Sequence, residues 1–468
     1  MPRLIVIAAA ACLLGAEEWP QFRGPNGSGV SSSTGLPSEL TPAKNVVWKT
    51  AAPFGRSSPI VAGSCLFLTA TEGEELLTLC LDPENGRVRW RRQIVRQRAH
   101  PVFKMNDPAS PTPASDGTNV YVFFPDFGLV SYGPDGNERW RHPLGPFENF
   151  YGMAAGPIVS GGKVLLLCDQ KANSFLLAVD AKTGAVSWKV ERPDANLGWS
   201  VPVIYTAGDG ERHVVAHGNL RVDAYSVETG ERRWWAPRSG ELTQGVPVFD
   251  GDTVYVNSSG YDQPWLPTFA STLAKYDADK DGRISREEFK KDEAAEHFGY
   301  VDVNNDGYMD EKECDTARAS GVGQYGLVAR RLGGRGSLPE STVRWRFKRN
   351  LPYVPSPLLY RDVLYLVKEG GIITSLNAAT GEIHKQGRAQ DALGDYYASP
   401  VAADGKVYLV SEAGKVTVLK AGAQWETLAV NDLGEECYAT PAIAGGRIYV
   451  RTRGTLYCFA GQKTNRRP

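Results

Sequence analysis

Asp277, Asp279 and Asp281 alternate along the stretch Tyr276–Phe289, Gly282 follows directly, and Glu288 closes the run. Calcium takes roughly six to eight hard oxygens at flexible geometry, and this spacing wraps such oxygens around one point. The three aspartates fill loop positions 1, 3 and 5, and Gly282 makes the sharp turn at 6. The Arg283 carbonyl serves position 7, Ser285 sits at 9, and Glu288 is the bidentate ligand at 12. Asp302, Asn304, Asp306, the Tyr308 carbonyl, Asp310 and Glu313 repeat the register, with Gly307 at the turn. Two full loops in tandem predict two Ca²⁺ sites. An acidic surface loop is the bland alternative.

Such loops need helices on either side. Pro267–Tyr276 places Phe269, Leu273 and Tyr276 at helical spacing, with Pro267 suited to a first turn. Only residues 289–301 separate the loops, so one helix is expected to leave the first and enter the second. The pattern is that of a compact EF-hand pair resembling the modules of exported bacterial proteins. Extracellular modules often bind near ~10⁻⁴–10⁻³ M, where calcium is steadily available. Sensors instead expose a Met-rich groove, and this chain has only 4 Met. A structural staple is therefore favoured over a regulatory switch.

The rest of the chain repeats a different pattern. Leu81–Trp90, Tyr132–Trp140, Val179–Trp188 and Tyr225–Trp234 each carry a strand, a polar turn, a glycine and a tryptophan four positions after it. Leu376–Lys385 keeps the turn but has Lys385 where the Trp belongs. The glycine suits a φ > 0 hairpin position, and the indole offers a ring to wedge between units. A second marker is a proline opening a short apolar strand, at Pro59, Pro111, Pro157, Pro202, Pro247, Pro357, Pro400 and Pro441. Each unit holds about four short strands, as a propeller blade of ~40–50 residues requires. Eight units predict an all-β, eight-bladed propeller of four-stranded blades. Asn45–Thr50 would supply the missing strand of the last blade and close the ring, leaving no open edge.

Pro247 to Pro357 spans 110 positions against 45 for the preceding interval. The calcium loops fill that excess, between the second and third strands of blade 5. The expected organisation is a leader (1–16), a first propeller part (17–261), an EF-hand pair (262–325) and a second propeller part (326–468).

Net charge is −1, which gives no general pull toward nucleic acid. The basic run Arg91–His100 reads as a solvated outer strand or loop. Residues 1–16 read as a secretory signal peptide: Arg3, then the apolar Leu4–Leu14, then Gly15-Ala16. Cys12 offers a lipid-attachment point, but the stretch before it lacks the usual large aliphatic residue. No other apolar run is long enough for a transmembrane helix. The expectation is an exported, periplasmic or extracellular protein, associated with a membrane only through partners. Cys65 and Cys80 flank a hairpin, and a disulfide and two buried thiols both remain open.

The turn-Gly-x-x-x-Trp motif, the strand-opening prolines and the leader Trp19–Pro25 resemble PQQ-like β-propeller repeat proteins. That group includes quinoprotein dehydrogenases and the BamB-like propeller of outer-membrane assembly. The resemblance covers nearly all of the chain outside the calcium loops. It implies the fold, but not one activity, because the group mixes enzymes with scaffolds.

In a meander blade, the loop into strand one and the loop between strands two and three share a face. The residues before the prolines and the calcium loops should therefore meet at the channel mouth. Arg56, Asp107, Tyr151, Trp199, Gln244, Tyr353, Asp395, Tyr397, Glu435 and Tyr438 are the candidate funnel residues. They would suit a protein or glycan, although ordinary rim chemistry explains them too. A PQQ-dependent dehydrogenase of alcohols or sugars is the enzymatic alternative. The adjacent cysteine pair that such members of the resembling family usually carry is absent, so PQQ is disfavoured as a cofactor. No catalytic residue is assigned. His213 and His217 lie four apart in a strand-like run with no third ligand, which argues against zinc. A calcium-gated adaptor is the third alternative.

Overall fold

Each repeat forms a meander because short apolar runs alternate with turn residues. In the first, Ile60–Ala62, Cys65–Glu72, Glu75–Leu81 and Val88–Val95 pair in order. Glu75–Leu81 is buried almost throughout because both of its faces meet neighbouring sheets. Val88–Val95 lies at the rim, where only Trp90 and Ile94 are buried.

The computed structural model describes residues 17–461, apart from 100, 101, 103, 104, 150, 194, 196, 220, 238–242, 261, 262, 293, 294, 305 and 322–324. The expected leader, with Cys12, lies outside the described residues. Eight sheets of this kind form an eight-bladed β-propeller. Blade 4 adds a short parallel strand, Gly336–Ser337, beside Arg232–Pro237. Blade 8 is completed by Val46–Ala51, which pairs antiparallel with Thr455–Ala460 and so joins the two ends of the propeller. One strand-opening proline differs from the expectation. The first strand of blade 2 is Ala114–Ser115, so Pro113 rather than Pro111 holds the position that Pro59 holds in blade 1. The stretch Ser110–Pro113 carries two prolines, and spacing alone does not choose between them.

Five tryptophans lock a blade to the next, whereas the indole Nε1 of Trp234 in blade 4 is buried without a hydrogen-bond partner among the described residues. Trp48 Nε1 donates to the Pro83 carbonyl at 3.0 Å, and Trp90 Nε1 to the Pro134 carbonyl at 3.0 Å. Trp140, Trp188 and Trp345 repeat the bond to Ala181, Val227 and Ala378. Each of these five indoles lies against the turn glycine of the following blade. A Cβ on Gly86 would stand 2.5 Å from the Trp48 ring, so the glycine is required by close approach as well as by its φ of 72°. Lys385, which replaces the Trp in blade 6, reaches the same neighbour differently. Its Nζ lies 4.2 Å from the Trp425 ring centroid and donates to the Trp425 carbonyl at 2.6 Å. Cys65 and Cys80 form a disulfide between the second and third strands of blade 1. Cys168, Cys314, Cys437 and Cys458 are free and buried.

Between Thr253–Ser258 and Gly326–Arg331, the second and third strands of blade 5, the chain makes four short helices. These are α1 (Phe269–Tyr276), α2 (Arg286–Phe289), α3 (Phe298–Val301) and α4 (Glu311–Gly321). Helix α1 starts after its cap Thr268, whose side chain accepts from Ser271 N–H, so Pro267 stands just outside it. The single helix expected across residues 289–301 is divided into α2 and α3. Phe289 and Phe298 would fall on opposite faces of one continuous helix. The break lets both enter the insert's own core, where their rings are 5.9 Å apart.

Candidate functional site

The inner ends of the blades are tied together by side chains that precede the prolines. Val246 N–H donates to Ser356 Oγ, Ser356 N–H to Ser399 Oγ, and Ser399 N–H to Thr440 Oγ1. The series continues from Thr440 N–H to Ser58 Oγ and from Ser58 N–H to Thr112 Oγ1. These bonds, each 2.9–3.0 Å, run around the channel from blade 5 through blades 6, 7, 8 and 1 to blade 2. Blades 3, 4 and 5 carry Gly156, Val201 and Val246 at this position and have no hydroxyl to offer. A small hydroxyl before a strand-opening proline was a legible signal, but the sequence reading took the proline alone.

Above this ring lies a cavity of about 210 Å³. Seven expected funnel residues line it: Arg56, Tyr151, Trp199, Gln244, Tyr353, Tyr397 and Tyr438. Tyr397 and Tyr438 stack at 5.3 Å, and the Arg56 guanidinium sits 4.3 Å from the Tyr438 ring centroid. Tyr151 meets Trp199 edge-on at 5.4 Å. Trp199 Nε1 is held by Asn149 Oδ1 and the Gly152 carbonyl. Burial pushes the Tyr397 phenol up to about 12. Burial and the Glu412 carboxylate push Tyr438 higher still.

Three expected residues point elsewhere. Asp107 is buried and folds onto its own turn, where its Oδ1 accepts from Ala109 N–H at 2.7 Å, and burial raises its pKa. Asp395 is exposed on its loop. Glu435 is spent within blade 8, accepting from Thr452 Oγ1, Thr455 Oγ1 and Gly454 N–H. Sequence reading placed these carboxylates by loop and had no means of seeing which local donors would claim them. Two residues it missed also line the cavity. Met105 accepts from the Tyr397 hydroxyl at 3.4 Å, reaching from the blade 2 loop to blade 7. Phe22 enters from the leader Trp19–Pro25.

That leader closes the far end of the channel. Trp19 exchanges backbone bonds with Val61, and the Pro20 carbonyl accepts from Ser115 N–H. Asn26 exchanges bonds with the Ile204 backbone, and the Gly29 carbonyl accepts from Ala402 N–H. The leader thus grips the first strands of blades 1, 2, 4 and 7. Arg23 is fully buried beneath the cavity and donates to the Pro357 carbonyl at 2.8 Å, and burial lowers its pKa to about 9.

The two acidic loops lie in the insert. Ile284–Ser285 pairs antiparallel with Tyr308–Met309, bringing the loops back to back. In the first loop, oxygens of Asp277, Asp279 and Asp281 lie within 4.8 Å of one another. Ser285 caps α2, and Glu288 folds back to accept from Ser285 N–H and Ala278 N–H. In the second loop, Asp302 and Glu313 are buried, and Asp302 Oδ1 has no hydrogen-bond partner among the described residues. Glu313 accepts from Val303, Asn304 and Asp310 N–H groups, and Asp310 Oδ1 from Glu313 N–H. Asp306 Oδ1 accepts from Tyr308 N–H. Gly282 and Gly307 adopt φ of 80° and 87°, which the sharp turns require. Arg283 lies over the Tyr308 ring at 3.9 Å. A buried carboxylate oxygen without a donor suits a hard cation, so the donor set fits calcium.

The insert touches the funnel wall. Tyr300 of α3, just before Asp302, lies 6.4 Å from Tyr151, which itself lines the cavity. Lys171, at the tip of blade 3, lies within electrostatic reach of Asp302 and Glu313. Burial lowers its pKa, while those carboxylates act to raise it.

The family described as outer membrane protein assembly factor BamB matches residues 39–172 and 172–467. The chain belongs to that family. No curated protein matches it. Among solved structures, BamB from Moraxella catarrhalis superposes with a TM-score of 0.54 at 14% identity, covering 90% of this chain and 99% of that one. A europium-containing methanol dehydrogenase gives 0.58 at 11% identity, covering 95% and 98%. A quinohemoprotein alcohol dehydrogenase from Comamonas testosteroni gives 0.57 at 12% identity, covering 97% and 82%. These likenesses establish the propeller fold that scaffolds and dehydrogenases share. Among the described residues, no helix is long and apolar enough to cross a membrane.

Proposed function

We propose that this BamB-family propeller is an exported, calcium-binding protein that works by binding, its funnel face recognising a protein or a glycan. The observation that carries this is the composition of the cavity. Its described lining has aromatic faces and one cation, Arg56, but no carboxylate. Five of its Ser and Thr hydroxyls already serve the ring between blades, and the sixth, Ser110 Oγ, accepts from Asp107 N–H. Such a wall suits capture, because flat rings give contact area at low entropic cost and few polar groups fix orientation. A quinone with its cation would need carboxylate ligands beside it, and the lining does not supply them. Asp107, Asp395 and Glu435, carboxylates of the same entry loops, are not part of that lining. The two insert loops take Ca²⁺ in this proposal.

Incubation of the purified protein with PQQ and Ca²⁺ tests the reading. The expected result is no bound-quinone spectrum and no dye-linked oxidation of alcohols or sugars. Oxidation above the protein-free control would overturn it.

A second reading, calcium-gated capture, is favoured by the Tyr300–Tyr151 contact. It expects chelation to change ligand capture, whereas a pure staple expects chiefly a lower melting temperature.

A further inference from the structure

A crevice of about 380 Å³ opens beside the funnel, between blades 8 and 1, and shares Arg56 and Tyr438 with the central cavity. Its lining includes three arginines, Arg56, Arg451 and Arg453, against one carboxylate, Glu436. Neither Arg56 nor Arg451 forms an ion pair among the described residues. Arg451 is buried against neutral acceptors, the Ser57, Thr69 and Pro53 carbonyls and Ser57 Oγ, and its Nε has no partner. Burial lowers its pKa to about 10. Arg56 spends Nη1 on the Asn106 carbonyl, and its buried Nε is also without a partner. Four carboxylates stand nearby, and one of them, Glu435, is taken by Thr452 Oγ1, Thr455 Oγ1 and Gly454 N–H. Glu436 pairs with Arg453 at 3.5 Å on the rim, Glu412 accepts the Tyr438 phenol, and Asp107 has its pKa raised by burial. The crevice is thus richer in guanidinium donors than in anions to meet them. Across the ring, on blade 5, Gln244 presents a buried Oε1 with no donor among the described residues.

Resting on the binding function proposed above, we infer that the funnel's ligand is an acidic sugar, a uronate, whose carboxylate is held by Arg56 and Arg453 at the crevice. Planar guanidinium groups match a carboxylate and bind it more strongly than neutral partners do. The sugar ring lies on the Tyr438–Tyr397 stack, and a ring hydroxyl supplies the donor that Gln244 Oε1 lacks. A single sugar ring carries flat C–H faces, hydroxyl donors and one carboxylate in a unit small enough for a cavity of about 210 Å³.

Calorimetric titration of the full chain in Ca²⁺ with three probes tests this: trigalacturonate, its carboxyl-reduced counterpart, and the peptide Ala-Ala-Glu. Trigalacturonate is expected to bind, and the reduced trimer to bind at least about tenfold more weakly. Arg56→Met and Arg453→Met are each expected to weaken trigalacturonate about tenfold and to flatten its salt dependence. Arg453 is largely exposed, so its variant should keep the wild-type melting temperature and remain informative if Arg56→Met perturbs the fold. Equal binding of the reduced trimer, or binding of the peptide alone, overturns the uronate while leaving the binding function intact. Absence of trigalacturonate binding at millimolar concentration also overturns it. Quinone-dependent oxidation would instead remove the binding function itself.

Discussion

The loops at residues 277–288 and 302–313 share a register but occupy different surroundings. In the first, Asp279 and Asp281 face solvent, and the surrounding hydrogen bonds stay within the insert. In the second, Asp302 and Glu313 are 1% and 8% exposed and lie within electrostatic reach of Lys171 of blade 3. The helix leading into it carries Tyr300 onto the funnel residue Tyr151. If both loops take Ca²⁺ as proposed, their surroundings set them different tasks. The first would hold the insert together. The second would also tie the insert to the propeller, because the helix before it meets Tyr151 at the cavity.

Removing calcium should have the largest effect. A ligand present at about a hundredfold its Kd stabilises the form that binds it by about 2.7 kcal/mol per site. With millimolar Ca²⁺ replaced by chelator, hydrogen exchange is expected to rise throughout residues 269–321, while protection of the central strands of blades 1 and 7 holds. Unchanged exchange in the insert would show that its loops fold without the ion.

Single-loop variants sharpen the contrast. Asp277→Asn and Asp302→Asn each remove one carboxylate charge. Both are expected to cost one bound ion by calcium titration. Only Asp302→Asn should raise exchange at residues 149–153 of the funnel wall. If both variants alter that segment equally, the loops are coupled to each other and the contrast fails.

Tyr300→Ala probes the contact itself and should have a smaller effect. It leaves every acidic side chain in place, so two ions should still bind. Exchange at residues 149–153 should nevertheless become insensitive to chelation. Persistence of the calcium response would move the coupling to Lys171, whose Lys171→Met variant then becomes the informative one.

The fold was legible because its signals are local and repeated. A glycine under five of the indoles, a proline at each inner strand and a surplus of length in one interval together fix the blades, their number and the place of the insert. The acidic loops were legible for the same reason. The funnel was legible only as a face. Aromatic residues in the entry loops line the cavity even where their polar tips are taken, as in Trp199 and Tyr438, whereas Asp107 and Glu435 were taken by N–H and hydroxyl groups within their own blades. Phe22 was invisible because it reaches the cavity from a leader whose path depends on contacts with blades 1, 2, 4 and 7. The break between α2 and α3 was missed because residue count, unlike the facing of Phe289 and Phe298, does not oppose a continuous helix.

Acid should separate the propeller from its insert more gently still. His217 in blade 4 is fully buried with Nδ1 against the Gly245 carbonyl, and burial lowers its pKa to about 4. Its folded pKa lies below the unfolded value of about 6.5, so the unfolded chain takes up the proton first. Stability from this residue is complete above about pH 6.5 and declines as the pH falls toward 4, by on the order of 2–3 kcal/mol. The nearby Arg192 cation, paired to Asp169 and Asp223, also disfavours the charged imidazole. In calcium-free protein, where the insert is already loosened, denaturant unfolding monitored on the propeller should still weaken across this window. A His217→Gln variant should be less stable at neutral pH but show a flatter profile between pH 6.5 and 4. If the wild-type and variant profiles run parallel, the acid response belongs to carboxylates elsewhere, and the propeller and insert no longer differ in the way their buried groups require.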